Sequence, residues 1–286
     1  MRSVITEKHG NTAFRLESWN SFGEFLDYVE SNPKPLSSNE GRSSFTGGTS
    51  SLSDAVRLAR QGYREVRPDV DRMVNDLTDR ISGKLDNRYD VRHNVCGSDV
   101  DMGRYVQGEP ECMMEWVSEP AEAMGRVVKI VVNAAASSYV TAEQIKARGA
   151  AVLALIDTIH KLGVGLEVWS ECGISNKGVN KGDRFGFAVK IHSSEDMVDI
   201  DAIMFALAHP SMLRRAVFSA MEMSEKAREM GAGGGYGYPC NLVSPAVRND
   251  YDVTVEMLQR GTEKADDLLN DPVGWVLEKV EGLGIL

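Results

Sequence analysis

Val127-Val128-Lys129-Ile130-Val131-Val132 opens the stretch that decides the fold. It runs into small residues, Asn133-Ala134-Ala135-Ala136-Ser137-Ser138, and then into a helical segment from about Thr141 to Leu162. Gly163 stops that helix, and Val164-Gly165-Leu166-Glu167-Val168-Trp169 follows as a second apolar run. Strand, loop, helix and strand in this order make a crossover unit, whose connection is long enough for the two strands to lie parallel in one sheet. Phe185-Gly186-Phe187-Ala188-Val189-Lys190-Ile191-His192 alternates and reads as a third strand, joined to the second by a hairpin and so antiparallel to it. The expected class is α/β, an open and mostly parallel sheet flanked by helices.

Downstream, Asp199 to Ala208 carries Ile200, Ile203, Met204 and Leu207 at core-facing helical spacing, and Met212 to Met230 reads as another helix. Val253 to Met257 reads as a late strand, Thr262 to Leu269 as a short helix and Asp271 to Val280 as a terminal helix with proline in its first turn. Upstream, residues 1–50 read as a leader with one small helix. Phe22, Phe25, Leu26 and Val29 share its face, and Asn20 or Ser21 caps it, with Glu24 completing a capping box. Helices are expected over 51–61 and 66–85, the second with an apolar stripe of Val70, Met73, Val74, Leu77 and Ile81. Residues 86–125 give no regular pattern. Two regions are therefore expected, a mainly helical N-terminal one over 1–125 and an α/β domain over 126–286.

Composition bounds the function classes. With 42% hydrophobic and 26% charged residues in 286, the chain has enough apolar material for a real core. It has no apolar run long enough to span a bilayer, and Met1 to Lys8 lacks the apolar segment of a secretory signal. A net charge of −10 disfavours duplex DNA binding by the surface as a whole. The four cysteines are far apart and lack C-x-x-C spacing, which fits free thiols in a reducing cytoplasm.

The five histidines show no H-x-x-x-H or H-E-x-x-H spacing, so a zinc hydrolase is unsupported. No G-x-S-x-G elbow and no G-x-G-x-x-G after the first strand are present. Asp99, Asp101 and Glu109 cluster in an acidic turn-rich segment without the spacing of a calcium loop. Gly231 to Pro239 is glycine-rich but leaves a helix rather than entering one, which suits a connector better than a phosphate cradle. Its Tyr236 and Tyr238 are of the type that stacks on bases. Lys177, Lys181 and Arg184, in the loop between the second and third strands, make a local basic patch, and a longer run of arginines interleaved with acids covers 57–92. The chemistry read here is that of a non-enzyme.

Over 127–286 the order of elements resembles a von Willebrand factor A-like (VWA-like) domain, with Ala147-Arg148-Gly149-Ala150-Ala151-Val152-Leu153-Ala154-Leu155-Ile156-Asp157 standing for its first long helix. That family typically carries an Asp-x-Ser-x-Ser metal site after the first strand. Asn133-Ala134-Ala135-Ala136-Ser137 is the matching stretch, in which Asn133 replaces the Asp, Ala135 replaces the first Ser and Ser137 matches. An amide and a methyl do not replace an anionic oxygen and a hydroxyl around a hard cation. The resemblance therefore implies a degenerate metal site and no cofactor, with Ser137, Ser138 and Thr141 lying where open α/β sheets bind ligands.

The whole chain also resembles proteins of tailed bacteriophages, in Trp19 to Tyr28 and in Gly108-Glu109-Pro110-Glu111-Cys112-Met113. Some podoviruses encode an early accessory protein that binds single-stranded DNA and recruits the phage RNA polymerase. The resemblance implies a non-enzymatic accessory or adaptor protein in a nucleic-acid machine of the host cytoplasm, with a protein partner such as that polymerase. Single-stranded DNA contact is secondary. The candidate contact residues are Asn133, Ser137, Ser138, Lys177, Lys181, Arg184, Tyr236 and Tyr238. Two alternatives stay open. One is a metal-dependent protein-binding domain using Ser137, Ser138, Thr141 and Asp199 or Asp201. The other is an enzyme with an unfamiliar site, which would show a pocket holding carboxylates or histidines.

Overall fold

The computed structural model describes residues 2–9, 12–32, 44–81, 88–119, 126–175, 183–229, 236–241, 250–258 and 268–285. Its centre is the unit expected above. Strand β6 (Val127–Asn133), helix α5 (Ala142–Lys161) and strand β7 (Gly165–Ser175) follow one another, and β6 and β7 pair in parallel from Val127↔Gly165 to Asn133↔Glu171. β10 (Val253–Val255) lies parallel on the far side of β6, and β8 (Arg184–His192) pairs antiparallel with β7. Thr141 caps α5 reciprocally with Gln144, which gives this long helix a defined start.

The N-terminal residues depart from the expected helical leader. They form a hairpin, β1 (Arg2–His9) and β2 (Thr12–Trp19), and β2 adds to the sheet parallel to β8. The sheet order is β1-β2-β8-β7-β6-β10, a mixed sheet in which β7, β6 and β10 run parallel to one another and β2 runs parallel to β8, and β9 (Tyr238–Cys240) joins the end of β7. In β2, Phe14 and Leu16 alternate with Arg15 and Glu17 over only four residues, and Glu17 is buried although it stands on the polar side of that alternation. Its buried carboxylate accepts from Ser224 Oγ at 3.1 Å and from Arg15 at 3.5 Å.

Helices α1 (Phe22–Glu30), α2 (Leu52–Gln61) and α3 (Arg67–Ile81) follow the expected pattern, with Val70, Val74, Leu77 and Ile81 buried. Their apolar faces enter the same core as Val128, Ile130 and Val132 of β6 and the apolar side of α5, so this core runs across the expected boundary at 125/126. Trp19 closes it near β2, edge-on to Phe25 at 5.1 Å and stacked on Phe187 at 5.9 Å. The arginines of 57–72 are engaged by acids: Arg57 with Asp54, Arg60 with Asp27 and Glu30, Arg64 and Arg67 with Asp201, and Arg72 with Asp69. They form a neutralised face rather than a free basic patch.

Residues 88–119 hold regular structure that the sequence did not announce. β3 (Arg88–Asn94), β5 (Met113–Glu119) and β4 (Asp99–Val100) make a second, antiparallel sheet, and α4 (Met102–Val106) follows β4. Asp101 serves there as the cap of α4, accepting from Gly103 N and Arg104 N, and meets His93 Nε2 at 3.1 Å. Its oxygens are thereby spent on the helix and the histidine, and among the described residues no group of three or more His, Cys, Asp or Glu side chains is placed to share an ion.

Further along, α6 (Ile200–Ala208) packs against α5 at Gly149, where a Cβ would lie 2.3 Å from Ala208 Cα. The helix expected over 212–230 is divided into a π-helical turn (Met212–Val217), α7 (Phe218–Met223) and α8 (Glu225–Glu229). Helix α9 (Pro272–Gly282) ends the chain's described structure against α5 and α3, and the short helix expected at 262–269 falls mostly outside the described residues. No described helix is long and apolar enough to cross a membrane.

Candidate functional site at the carboxyl ends of the central strands

β6 ends at Asn133, and the chain turns through residues 134–140 into α5. This is the position where open α/β sheets gather their ligands. Asn133 is fully buried, and each of its polar groups is in use. Its Oδ1 accepts from Ala135 N at 2.9 Å, its Nδ2 donates to Cys240 O at 2.9 Å, and its main-chain oxygen accepts from Arg148 Nη2 at 2.7 Å. β9 takes over beside β7 where β6 stops, pairing Gly173 with Cys240, so the Asn133 amide stitches the two strands end to end.

Two buried guanidiniums fix this loop from both sides. Arg148, 5% exposed on α5, donates to Asn133 O and to Glu256 O, tying the ends of β6 and β10 together. Arg214, in the π-helical turn, donates to Val140 O at the far end of the loop and to Phe45 O, with its guanidinium 3.8 Å over the Phe45 ring. Among the described residues neither has a carboxylate partner. Burial lowers both to about 10, which leaves them charged at neutral pH. A buried charge is tolerated only when fully hydrogen-bonded, and carbonyl oxygens serve that purpose here. Next to Arg214, Arg215 donates to Thr49 Oγ1 at 2.8 Å and Thr49 O at 2.8 Å, so the turn also holds the segment at 44–50.

The loop borders a cavity of about 540 Å³. Ala135, Ala136, Ser137 and Ser138 form one wall, and Cys172 and Ile174 of β7 form another. Leu213, Phe218 and Met221 close it from the π-turn and α7, and Tyr236 to Pro239 makes the remaining side. Tyr236 has φ +59°, a left-handed backbone that is uncommon for a bulky residue. It is held by stacking on Phe218, with ring centroids 3.8 Å apart, and by its hydroxyl donating to Glu222 Oε1 at 2.6 Å. Ser137 Oγ is buried and has no hydrogen-bond partner among the described residues. Among the described residues lining the cavity none carries a carboxylate or an imidazole. Burial raises the Cys172 thiol and pushes the neighbouring Cys240 thiol up to about 12, so both stay protonated and neither is an activated nucleophile.

Five residues singled out by sequence meet here. Asn133 forms the base of the loop, Ser137 and Ser138 a wall, and Tyr236 and Tyr238 the opposite side. Arg184 lies nearby by register, since Ser175 of β7 pairs with Tyr238 on one side and with Arg184 on the other. Its guanidinium lies 5.8 Å over the Phe14 ring. Lys177, Lys181 and the glycines at 231–235 lie outside the described residues. Of the oxygens proposed for a cation, those of Thr141, Asp199 and Asp201 are engaged elsewhere, and the others, on Ser137 and Ser138, are neutral hydroxyls. Thr141 Oγ1 caps α5, Asp199 caps α6, and Asp201 pairs with Arg64 and Arg67. With the Asn133 amide also in use, this set does not fit a metal of the kind the resemblance implies.

Sequence reasoning missed Arg148, Arg214 and the wall of Leu213, Phe218 and Met221. One signal was present: Arg148 opens the apolar run Gly149 to Ile156, where α5 is buried, and a cation at the edge of such a run needs a specific partner.

The chain belongs to the family described as a domain of unknown function, DUF7192, whose profile matches residues 4–286. No curated protein and no solved structure gives a match.

Proposed function

We propose that this protein is a non-enzymatic adaptor in a nucleic-acid machine, and that it holds a partner protein by a segment seated in the cavity beyond β6 and β7. The character of that cavity carries the reading. It is roomy, mostly apolar, walled by tyrosine, phenylalanine and methionine, and among the described residues lined by no carboxylate or imidazole for acid–base work. The parallel β6-α5-β7 unit supports reading residues 126–286 as a VWA-like platform. The engaged Asn133 amide supports a degenerate metal site within it. A phage RNA polymerase is the partner that the bacteriophage resemblance suggests.

The test is a pull-down from the native host with nuclease-treated controls, run beside Ala136→Trp, which fills the cavity from a half-buried wall position. The expected result is a protein partner that survives nuclease and is lost with Ala136→Trp at unchanged melting temperature. Equal recovery by the variant would remove the cavity from the interaction.

A second reading is favoured by one observation. Tyr238, 46% exposed, and Arg184 stand in register on either side of Ser175, an aromatic and a cation one strand apart. A base stacked on Tyr238 with its phosphate near Arg184 would give weak single-stranded DNA binding. Salt-dependent oligonucleotide affinity, reduced by Tyr238→Ala and by charge reversal at Lys177, Lys181 and Arg184, supports it, and an affinity indifferent to those changes removes it.

A further inference from the structure

We infer that the second sheet and α4 form a docking surface for a basic, amphipathic segment of a partner protein, separate from the cavity. A three-stranded sheet ordinarily gains its stability by covering an apolar face. In β3–β5 and α4 no residue whose exposure is described is buried, from Val91 to Glu115. Five of the twelve exposed large hydrophobics among the described residues fall within residues 95–106, a concentration that single scattered residues would not give. Met102, Tyr105 and Val106, exposed by 62%, 61% and 78%, occupy the i, i+3 and i+4 positions of α4 and so share one face. Val100 comes just before them and pairs with Met113, which on its other side pairs with Asn94, the neighbour of exposed Val95. The five residues therefore gather at one end of the small sheet.

This end is held in place. Asp101 N donates to Cys112 O at 2.8 Å and Ser98 N to Met114 O at 2.9 Å. A Cβ at Gly97 would lie 2.4 Å from Met114 O, so only glycine lets the chain run this close to β5. The cap by Asp101 fixes the start of α4. The apolar face is thus presented on a defined backbone.

Charge selects the occupant. Between residues 91 and 115 five carboxylates stand against two guanidiniums, and Asp99, Glu109, Glu111 and Glu115 are exposed. Arg104 is taken up by Asp101 and Glu109. Exposed apolar side chains in a segment with an excess of acid fit a partner segment with apolar residues on one side and lysine or arginine on the other.

The experiment uses the full chain and a fluorescein-labelled synthetic peptide of leucine and lysine at helical spacing, with a leucine–glutamate peptide as control. Fluorescence anisotropy is expected to show binding of the lysine peptide alone. Met102→Ser/Tyr105→Ser/Val106→Ser and Asp99→Lys/Glu111→Lys are each expected to weaken it at least tenfold at unchanged melting temperature, while Ala136→Trp leaves it as in the wild type. Should the triple variant lose its fold, Tyr105→Ser and Val106→Ser singly carry the same test, each with at least a threefold loss. Equal binding by the variants would overturn the proposal, since the peptide would then be responding to the overall charge of −10. A concentration-dependent dimer of the wild type that the triple variant abolishes would also overturn it, assigning the surface to a second copy of the chain.

Discussion

Replacing Gly149 with alanine is expected to force α5 and α6 apart. A Cβ at this position would lie 2.3 Å from Ala208 Cα, 2.4 Å from Ala208 Cβ and 2.7 Å from Leu207 O. Ordinary contact begins near 3.4 Å, so the helices must separate by about 1 Å. Two of the three contacts are with backbone atoms, which cannot rotate aside. Alanine gains about 1 kcal/mol of helix propensity over glycine. Against this stand an overpacking cost at or above the upper end of ~1–3 kcal/mol and the dispersion lost as neighbouring pairs open, a quarter to a half of each well for a gap of ~0.5–1 Å. The net expectation is a loss of about 2–4 kcal/mol, read as a fall in melting temperature of roughly 3–7 °C by circular dichroism. Adding Ala208→Gly removes the contact to Cβ and leaves the one to Cα, so the double variant should recover only part of the loss. The displacement carries Arg148 with it, away from Asn133 O and Glu256 O. A Gly149→Ala protein that melts at or above the wild-type temperature would refute the close approach of the two helices.

Three further outcomes follow from the site and its surroundings. Asn133→Asp should cost about 1–3 kcal/mol in urea unfolding, because the donor to Cys240 O becomes a buried acceptor facing an acceptor; a neutral effect would mean that the amide is not the stitch between β6 and β9. Burial, with Lys146 adding to it, holds His209 down at about 4, whereas an unfolded histidine titrates near 6.5. The unfolded chain therefore takes up a proton that the folded chain refuses, and stability should decline as pH falls from about 6.5 to 4, by up to about 3 kcal/mol. His209→Gln should flatten that part of the profile, and an unchanged slope in urea midpoints would count against it. Arg214→Lys should destabilise by about 1–3 kcal/mol, since one ammonium does not reach Phe45 O and Val140 O in the planar geometry that also stacks on Phe45; a melting temperature equal to wild type would show that the loop is fixed by something else.

The parts of the fold legible in the sequence are those in which local pattern and tertiary role agree. β6 and β7 are apolar runs of strand length, the helical segment between them starts at about Thr141, and Gly163 marks its end. The stripe of α3 matches the residues it buries. Reading failed in β2, whose alternation covers only four residues, and over 88–119, where no residue whose exposure is described is buried. The helix over 212–230 was read as continuous because nothing in its composition reports a π-turn. That turn is shaped by Arg214 and Arg215 reaching oxygens at positions 45, 49 and 140.

By itself the sequence determined the α/β class, the direction of the three central strands, the helix caps and the absence of familiar catalytic spacings, because each of these depends on residues close together in the chain. Only the tertiary structure decided that Ser137 and Tyr238 face one cavity, that Arg148 and Arg214 pin its loop, and that Asn133 spends its amide on Cys240. Those facts depend on strand order and register, which bring together groups about a hundred residues apart, and no local pattern encodes a hydrogen bond between an arginine and a distant backbone carbonyl.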